Sequence, residues 1–112
     1  MSSNVIRLVR GDNRPFIILT LTDDITRGPI DLSNPATTVV VKFRQAATTT
    51  VLATIPCTKL SGGTTGQVQF SFDSGVLDVE PGMYEGEVQI TFAGSDVQTV
   101  YDVIRFRLRE NF

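Results

Sequence analysis

Apolar and polar residues alternate along several short stretches of this chain. A period of two is typical of a β-strand that buries one face and exposes the other. In residues 83–92, Tyr84 and most of the apolar side chains after it fall on one face, and acidic, amide and hydroxyl side chains fall on the other. Residues 104–109 alternate in the same way and place three arginines on the polar face. Further strands are predicted at residues 4–10, 15–22, 37–45, 51–56 and 67–72.

The seven predicted strands are separated by turns rich in glycine, proline, asparagine and aspartate, which are the residues that tight turns favour. Val, Ile and Thr supply 35 of the 112 residues, and these β-branched side chains favour strands over helices. Only residues 73–79 are a candidate for a helical turn. The pattern predicts an all-β fold, an immunoglobulin-like antiparallel β-sandwich of about seven strands, with residues 1–112 forming a single domain.

The composition excludes several kinds of catalytic and metal-binding site. The chain has no histidine, no tryptophan and a single cysteine, so it lacks the residues for Ser/His/Asp or Cys/His catalysis, for an internal disulfide and for the usual zinc site. Residues 61–66 are rich in glycine but lack the Gly-Lys-Ser/Thr ending of a phosphate-binding loop, and we predict a flexible hairpin loop there. Cys57 is predicted to be a small buried side chain. We therefore predict a protein that is not an enzyme, with no cofactor and no metal.

The charge balance gives no indication of a nucleic-acid or membrane partner. Ten basic and twelve acidic side chains leave a formal net charge of -2, so the molecule as a whole is not basic. Phe106 has the opposite parity to the arginines around it, whereas a single-stranded nucleic-acid platform needs aromatic rings among its basic residues. No apolar stretch is long enough to span a bilayer, and the first residues lack a signal-peptide pattern. We predict a protein made in the cytoplasm that binds neither nucleic acid nor membrane.

The outward arginines of residues 104–109 form the one local charge cluster. Two interpretations are open. The arginines pair across the sheet with Glu85 and Glu87 of the preceding strand, or they join Arg7 and Arg10 as forked donors to carboxylates of a neighbouring protein. Phe112 and the residues up to Val5 are further candidates for contact with a partner. The candidate interaction residues are Val5, Arg7, Arg105, Arg107, Arg109 and Phe112.

Exposed aromatic side chains give a different alternative. A carbohydrate-binding β-sandwich offers flat aromatic rings to sugars, and Phe16, Tyr101 and Phe112 are the rings predicted to be available. A carbohydrate-binding module is therefore kept as an alternative function.

Several short stretches occur in an order and spacing that resemble a known family. They are residues 8–12, 19–24, 30–33, 41–44, 66–68 and 81–88. The chain resembles the N-terminal domain of the upper baseplate proteins of tailed bacteriophages, and the small single-domain virion proteins of such phages. The resemblance implies an immunoglobulin-like sandwich without chemistry that assembles in the virion, in several copies of a symmetric tail or baseplate, against other virion proteins. The alternative within this class is a capsid decoration protein that binds neighbouring major coat subunits.

Overall fold

Nine strands lie in the residues that the structure, a computed structural model, describes, which are 5–14, 16–23, 26–73, 75–94, 96–100 and 103–111. They form two sheets that pack face to face as a sandwich. The strands are β1 (Val5–Val9), β2 (Ile17–Thr20), β3 (Thr38–Gln45), β4 (Val51–Pro56), β5 (Thr58–Lys59), β6 (Gln67–Phe70), β7 (Gly82–Thr91), β8 (Val97–Thr99) and β9 (Ile104–Arg109).

The all-β sandwich predicted from the sequence is confirmed. The large sheet has the order β1-β9-β7-β3-β4, with β8 beside the far end of β7, and the small sheet has the order β2-β6-β5. All seven predicted strands are present, and the two additional ones, β5 and β8, have only two and three residues. One pairing departs from an antiparallel sandwich, because β1 runs parallel to β9. Almost the whole chain separates these two strands, so no hairpin fixes their relative direction.

Aromatic rings fill the centre of the sandwich. The ring of Phe43 lies 5.2 Å from that of Phe72, 5.1 Å from that of Tyr84 and 5.6 Å from that of Phe106. Two of these pairs are edge-to-face and one is stacked, and such pairs stabilise a core beyond the area that they bury. Gly86 makes room for them, since a Cβ there would lie 3.0 Å from the Phe106 ring. This position therefore needs glycine for space.

Two of the glycine-rich residues 61–66, Gly63 and Gly66, are buried against the chain near Leu32 and Leu21. Residues 61–66 form a 3₁₀ turn, Ser61–Gly63, followed by β6. The Gly63 carbonyl accepts from the Leu32 N–H at 2.9 Å, and the Gly66 carbonyl accepts from the Leu21 N–H at 2.8 Å. A Cβ on Gly63 would lie 2.6 Å from the Leu32 carbonyl. The predicted hairpin loop is confirmed, since these residues join the antiparallel strands β5 and β6, and its glycines let two backbones approach closely.

A hydrogen bond to the backbone holds the connection that leads into the start of β7. The Tyr84 hydroxyl donates to the Glu80 carbonyl, which is the arrangement of the tyrosine corner in immunoglobulin-like sandwiches. Nearby, residues 75–77 form a turn that buries Leu77 completely. The candidate helical turn is thus a non-helical turn that closes one end of the core.

Cys57 lies where the chain leaves the large sheet and enters the small one, between β4 and β5. Its N–H donates to the Val39 carbonyl, and its side chain is partly buried against the core. Burial raises the pKa of its thiol from 9.0 to about 12. The thiol is therefore protonated at neutral pH, in keeping with the predicted structural role.

We expect Gly63→Ala to destabilise the protein by about 3 kcal/mol, because the alanine combines positive-φ strain with overlap on the Leu32 carbonyl. Gly62→Ala is the matched control. Gly62 also has a positive φ, but nothing lies within 4 Å of a Cβ there, so its cost is the strain alone, about 1 kcal/mol. Urea unfolding measures both changes, and equal losses would show that the close approach at Gly63 contributes nothing.

The raised pKa of Cys57 predicts a slowly reacting thiol. At about pH 8 the folded protein should react with a thiol reagent far more slowly than the protein in denaturant, because the thiolate is the reactive form. Since the folded pKa lies above the unfolded one, this residue's contribution to stability is complete below pH 9.0 and is lost as the pH rises towards 12. Cys57→Ala should therefore weaken the fall in stability across that window. Equal reaction rates with and without denaturant would contradict the assignment.

Candidate functional site

The outward side chains of β1 and β9 form a surface that we call the arginine face: Val5, Arg7, Arg105, Arg107 and Arg109. The parallel register pairs Val5 with Arg105, Arg7 with Arg107 and Val9 with Arg109. All five side chains of the face are exposed, while Leu8, Phe106 and Leu108 on the same two strands are buried. Five of the six candidate interaction residues are thus brought together from opposite ends of the sequence.

Arg7 and Arg107 lie directly beside each other on neighbouring strands. On its other side, Arg107 is paired with Met83 of β7, which carries no charge. Within the described residues neither guanidinium has a carboxylate within 4 Å. Like charges placed directly opposite each other destabilise a sheet, so this arrangement costs the folded protein free energy.

The predicted pairing of the arginines with Glu85 and Glu87 is not the one that the structure shows. Arg105 lies opposite Glu85 in the register, but the Glu85 carboxylate is bound by Arg44, whose Nη2 lies 3.2 Å from its Oε1. Glu87 lies opposite Lys42. The sequence analysis did not identify Arg44 and Lys42 as the neighbours of these acids. Their outward parity was visible, but the local pattern of residues does not show that β3 pairs with β7.

Arg10 was predicted to extend the cluster, but its charge is already compensated. Its Nε lies 3.1 Å from Asp78, and its Nη1 lies 3.2 Å from Glu110. The side-chain hydrogen bonds with Asp78 and Glu110 raise the pKa of this guanidinium. Arg10 therefore does not belong to the arginine face.

Arg109 has a different environment from Arg7 and Arg107. Its Nη1 donates to the Glu110 carbonyl at 2.9 Å, so this side chain lies along its own strand end. Phe112 is outside the described residues, as is Tyr101. The structure therefore supports one part of the predicted interaction surface. This part is the row made by Arg7 and Arg107, with Val5 and Arg105 beside it.

A small cleft of about 120 Å³ lies at the corner where β4 passes into β5. Its lining includes Phe16, Thr58, Gln69 and Asp73. Phe16 is exposed as predicted, and the Arg14 guanidinium lies 5.7 Å from its ring centroid. The cleft is smaller than the few hundred Å³ typical of small-molecule sites.

The residues present do not fit a transition-metal site. Such ions take imidazole, thiolate or thioether ligands, and the chain has no histidine, one cysteine and two methionines. Across the described ranges no three histidine, cysteine, aspartate or glutamate side chains come together as ligands. The same ranges contain no helix that is both long and apolar enough to cross a membrane.

Comparisons with known proteins give a fold but no family. No protein-family model matches the chain, and no curated protein matches it. Among solved structures, the fold is similar to that of CopC from Methylosinus trichosporium OB3b, with a TM-score of 0.55 and 5% sequence identity. The similarity covers 98% of this chain and 88% of CopC. At this identity the comparison concerns the fold alone.

This comparison overturns the function predicted from the sequence. That function was a structural protein of a tailed-phage virion, with a capsid decoration protein or a carbohydrate-binding module as alternatives. The finding against it is the match in fold, over nearly the whole chain, to CopC rather than to a virion protein. The resemblance to phage baseplate domains remains an untested prediction. The arginine face is the candidate site of this chain, whose fold is similar to that of CopC.

Proposed function

We propose that this chain is a non-enzymatic binding domain whose arginine face binds an acidic surface of a partner protein. The observation that carries the proposal is the pair formed by Arg7 and Arg107, which lie side by side with no carboxylate of the described residues within 4 Å. Elsewhere on the molecule, Arg10 and Arg44 each have an acidic partner. A partner's carboxylates would relieve the repulsion and receive forked hydrogen bonds from the guanidinium groups.

Its composition and surface support binding rather than catalysis. The chain has no histidine, and its one cysteine holds its proton because burial raises the thiol pKa to about 12. In the described part of the molecule the acidic side chains of the large sheet lie beside basic ones, Glu85 against Arg44 and Glu87 opposite Lys42. The Glu85 carboxylate is thus held by an ion pair rather than free for acid-base chemistry.

The repulsion itself is testable without a partner. We expect Arg7→Gln to raise the free energy of unfolding by about 0.3 to 1 kcal/mol at low ionic strength, because it removes one of two like charges. Added salt should shrink this gain, since it screens exposed charges. Arg10→Gln is the control and should lower stability, because it breaks two ion pairs. A loss of stability with Arg7→Gln at every salt concentration would contradict an uncompensated pair.

Binding is tested with a fluorescein-labelled glutamate peptide and fluorescence anisotropy. Arg7→Gln and Arg107→Gln should each weaken binding by about two- to fivefold, as expected for single exposed charge pairs. Arg14→Gln removes the same charge from a residue outside the arginine face and should leave the affinity unchanged. An equal loss with all three variants would mean unspecific attraction. Tighter binding of a labelled oligothymidine with the same arginine dependence would mean that the face binds phosphates.

A further inference from the structure

We infer that the partner presents its acidic residues on an extended segment, which adds to the large sheet as a strand along the free edge of β1. The inference rests on the proposed function and specifies the partner's form. It needs a suitable edge, free backbone groups on that edge, and charge complementarity between the added strand and the arginine face.

β1 is the most regular free edge of the sandwich. The described strands leave five edges, at β1, β4 and β8 of the large sheet and at β2 and β5 of the small one, and β8 has only three residues. The β4 edge is interrupted by a register shift beside Arg44 and ends at Pro56, and bulges and prolines hinder the addition of a strand. The β5 edge has only two residues. β1 has five residues in unbroken register with β9 and contains neither glycine nor proline.

The pattern of hydrogen bonds between β1 and β9 shows which backbone groups of β1 are free. The Arg10 N–H donates to the Arg109 carbonyl at 2.9 Å. Because a parallel ladder uses every second residue of a strand, Ile6 and Leu8 bond to β9, and the N–H and C=O groups of Val5 and Arg7 point away from it. These outward groups are the ones that an added strand requires.

The side chains on this edge favour an acidic segment. Neighbouring strands lie about 4.8 Å apart, so a glutamate opposite Arg7 would contact it directly, and Arg107 would lie one strand further. The β2 edge differs, because its outward side chains are Ile18 and Thr20 and carry no charge. Charge complementarity therefore selects β1 over β2 for an acidic partner.

A second folded copy of this chain is a poor source of that segment. The alternating acids of the chain, Glu85 and Glu87, are on β7, which has strands on both sides in the large sheet. The Glu85 carboxylate is also engaged by Arg44. The occupant that fits the edge is thus an unpaired segment of another protein with a carboxylate at every second position.

The test uses a capped, fluorescein-labelled peptide that alternates glutamate and valine. Two further versions carry N-methyl groups, one on every glutamate amide and one on every valine amide, so each removes the N–H donors from one edge of the peptide strand. Strand addition predicts that one version binds about tenfold more weakly and the other within about twofold of the unmodified peptide, since only one edge faces β1. Unchanged binding of both versions would overturn the inference.

Protein variants give an independent measurement. Val5→Pro removes an outward N–H at the first residue of an edge strand, where proline is tolerated, and keeps every arginine. It should weaken binding of the alternating peptide by about fivefold, while Val51→Pro, at the exposed first residue of the β4 edge strand and outside the arginine face, should not change it. Circular dichroism and the unfolding midpoint show whether both variants fold.

The two proposals fail in different ways. If Arg7→Gln weakens binding but Val5→Pro and both N-methylated peptides have no effect, the arginine face binds its partner without strand addition, and only this inference is wrong. If Arg7→Gln and Arg107→Gln have no effect, the proposed function is wrong as well.

Discussion

The packing of Phe43 against three other aromatic rings is the contact on which the rest of the sandwich depends. Phe43, Tyr84 and Phe106 come from three adjacent strands of the large sheet, and Phe72 follows β6 of the small one. The two sheets therefore meet through one cluster. Gly86 leaves space beside this cluster, because a Cβ there would lie 2.9 Å from the Val41 side chain and 3.0 Å from the Phe106 ring.

The same cluster decides which side chains face outwards. Because successive side chains of a strand point to opposite faces, a slip of one residue would expose Phe106 and bury its neighbouring arginines. Burying Phe106 therefore places Arg105 and Arg107 outside, and the pairing of β1 with β9 sets Arg7 beside them. The arginine face is a consequence of core packing together with one long-range pairing.

The alternation of residues was sufficient to predict seven strands, because strands such as β7 and β9 each have a continuous buried side. It was insufficient for β5 and β8, which are too short to show a period. The arginines of the site were predicted from their parity. Their neighbours were not, because the partner of Glu85 depends on which strand lies next to β7. The role of Gly63 was also hidden, since nothing local indicates that Leu32 passes against it.

The parallel pairing of β1 with β9 also bears on the order of folding. Contacts at this end of the large sheet join residues as far apart as Arg10 and Glu110, one hundred positions along the chain. Such contacts form only after a large loss of chain entropy and are typical of slowly folding topologies. β7 and β9, by contrast, are close in sequence. We expect β1 to dock last, onto an edge that β9 has already formed, and to be among the first strands to detach when the protein unfolds.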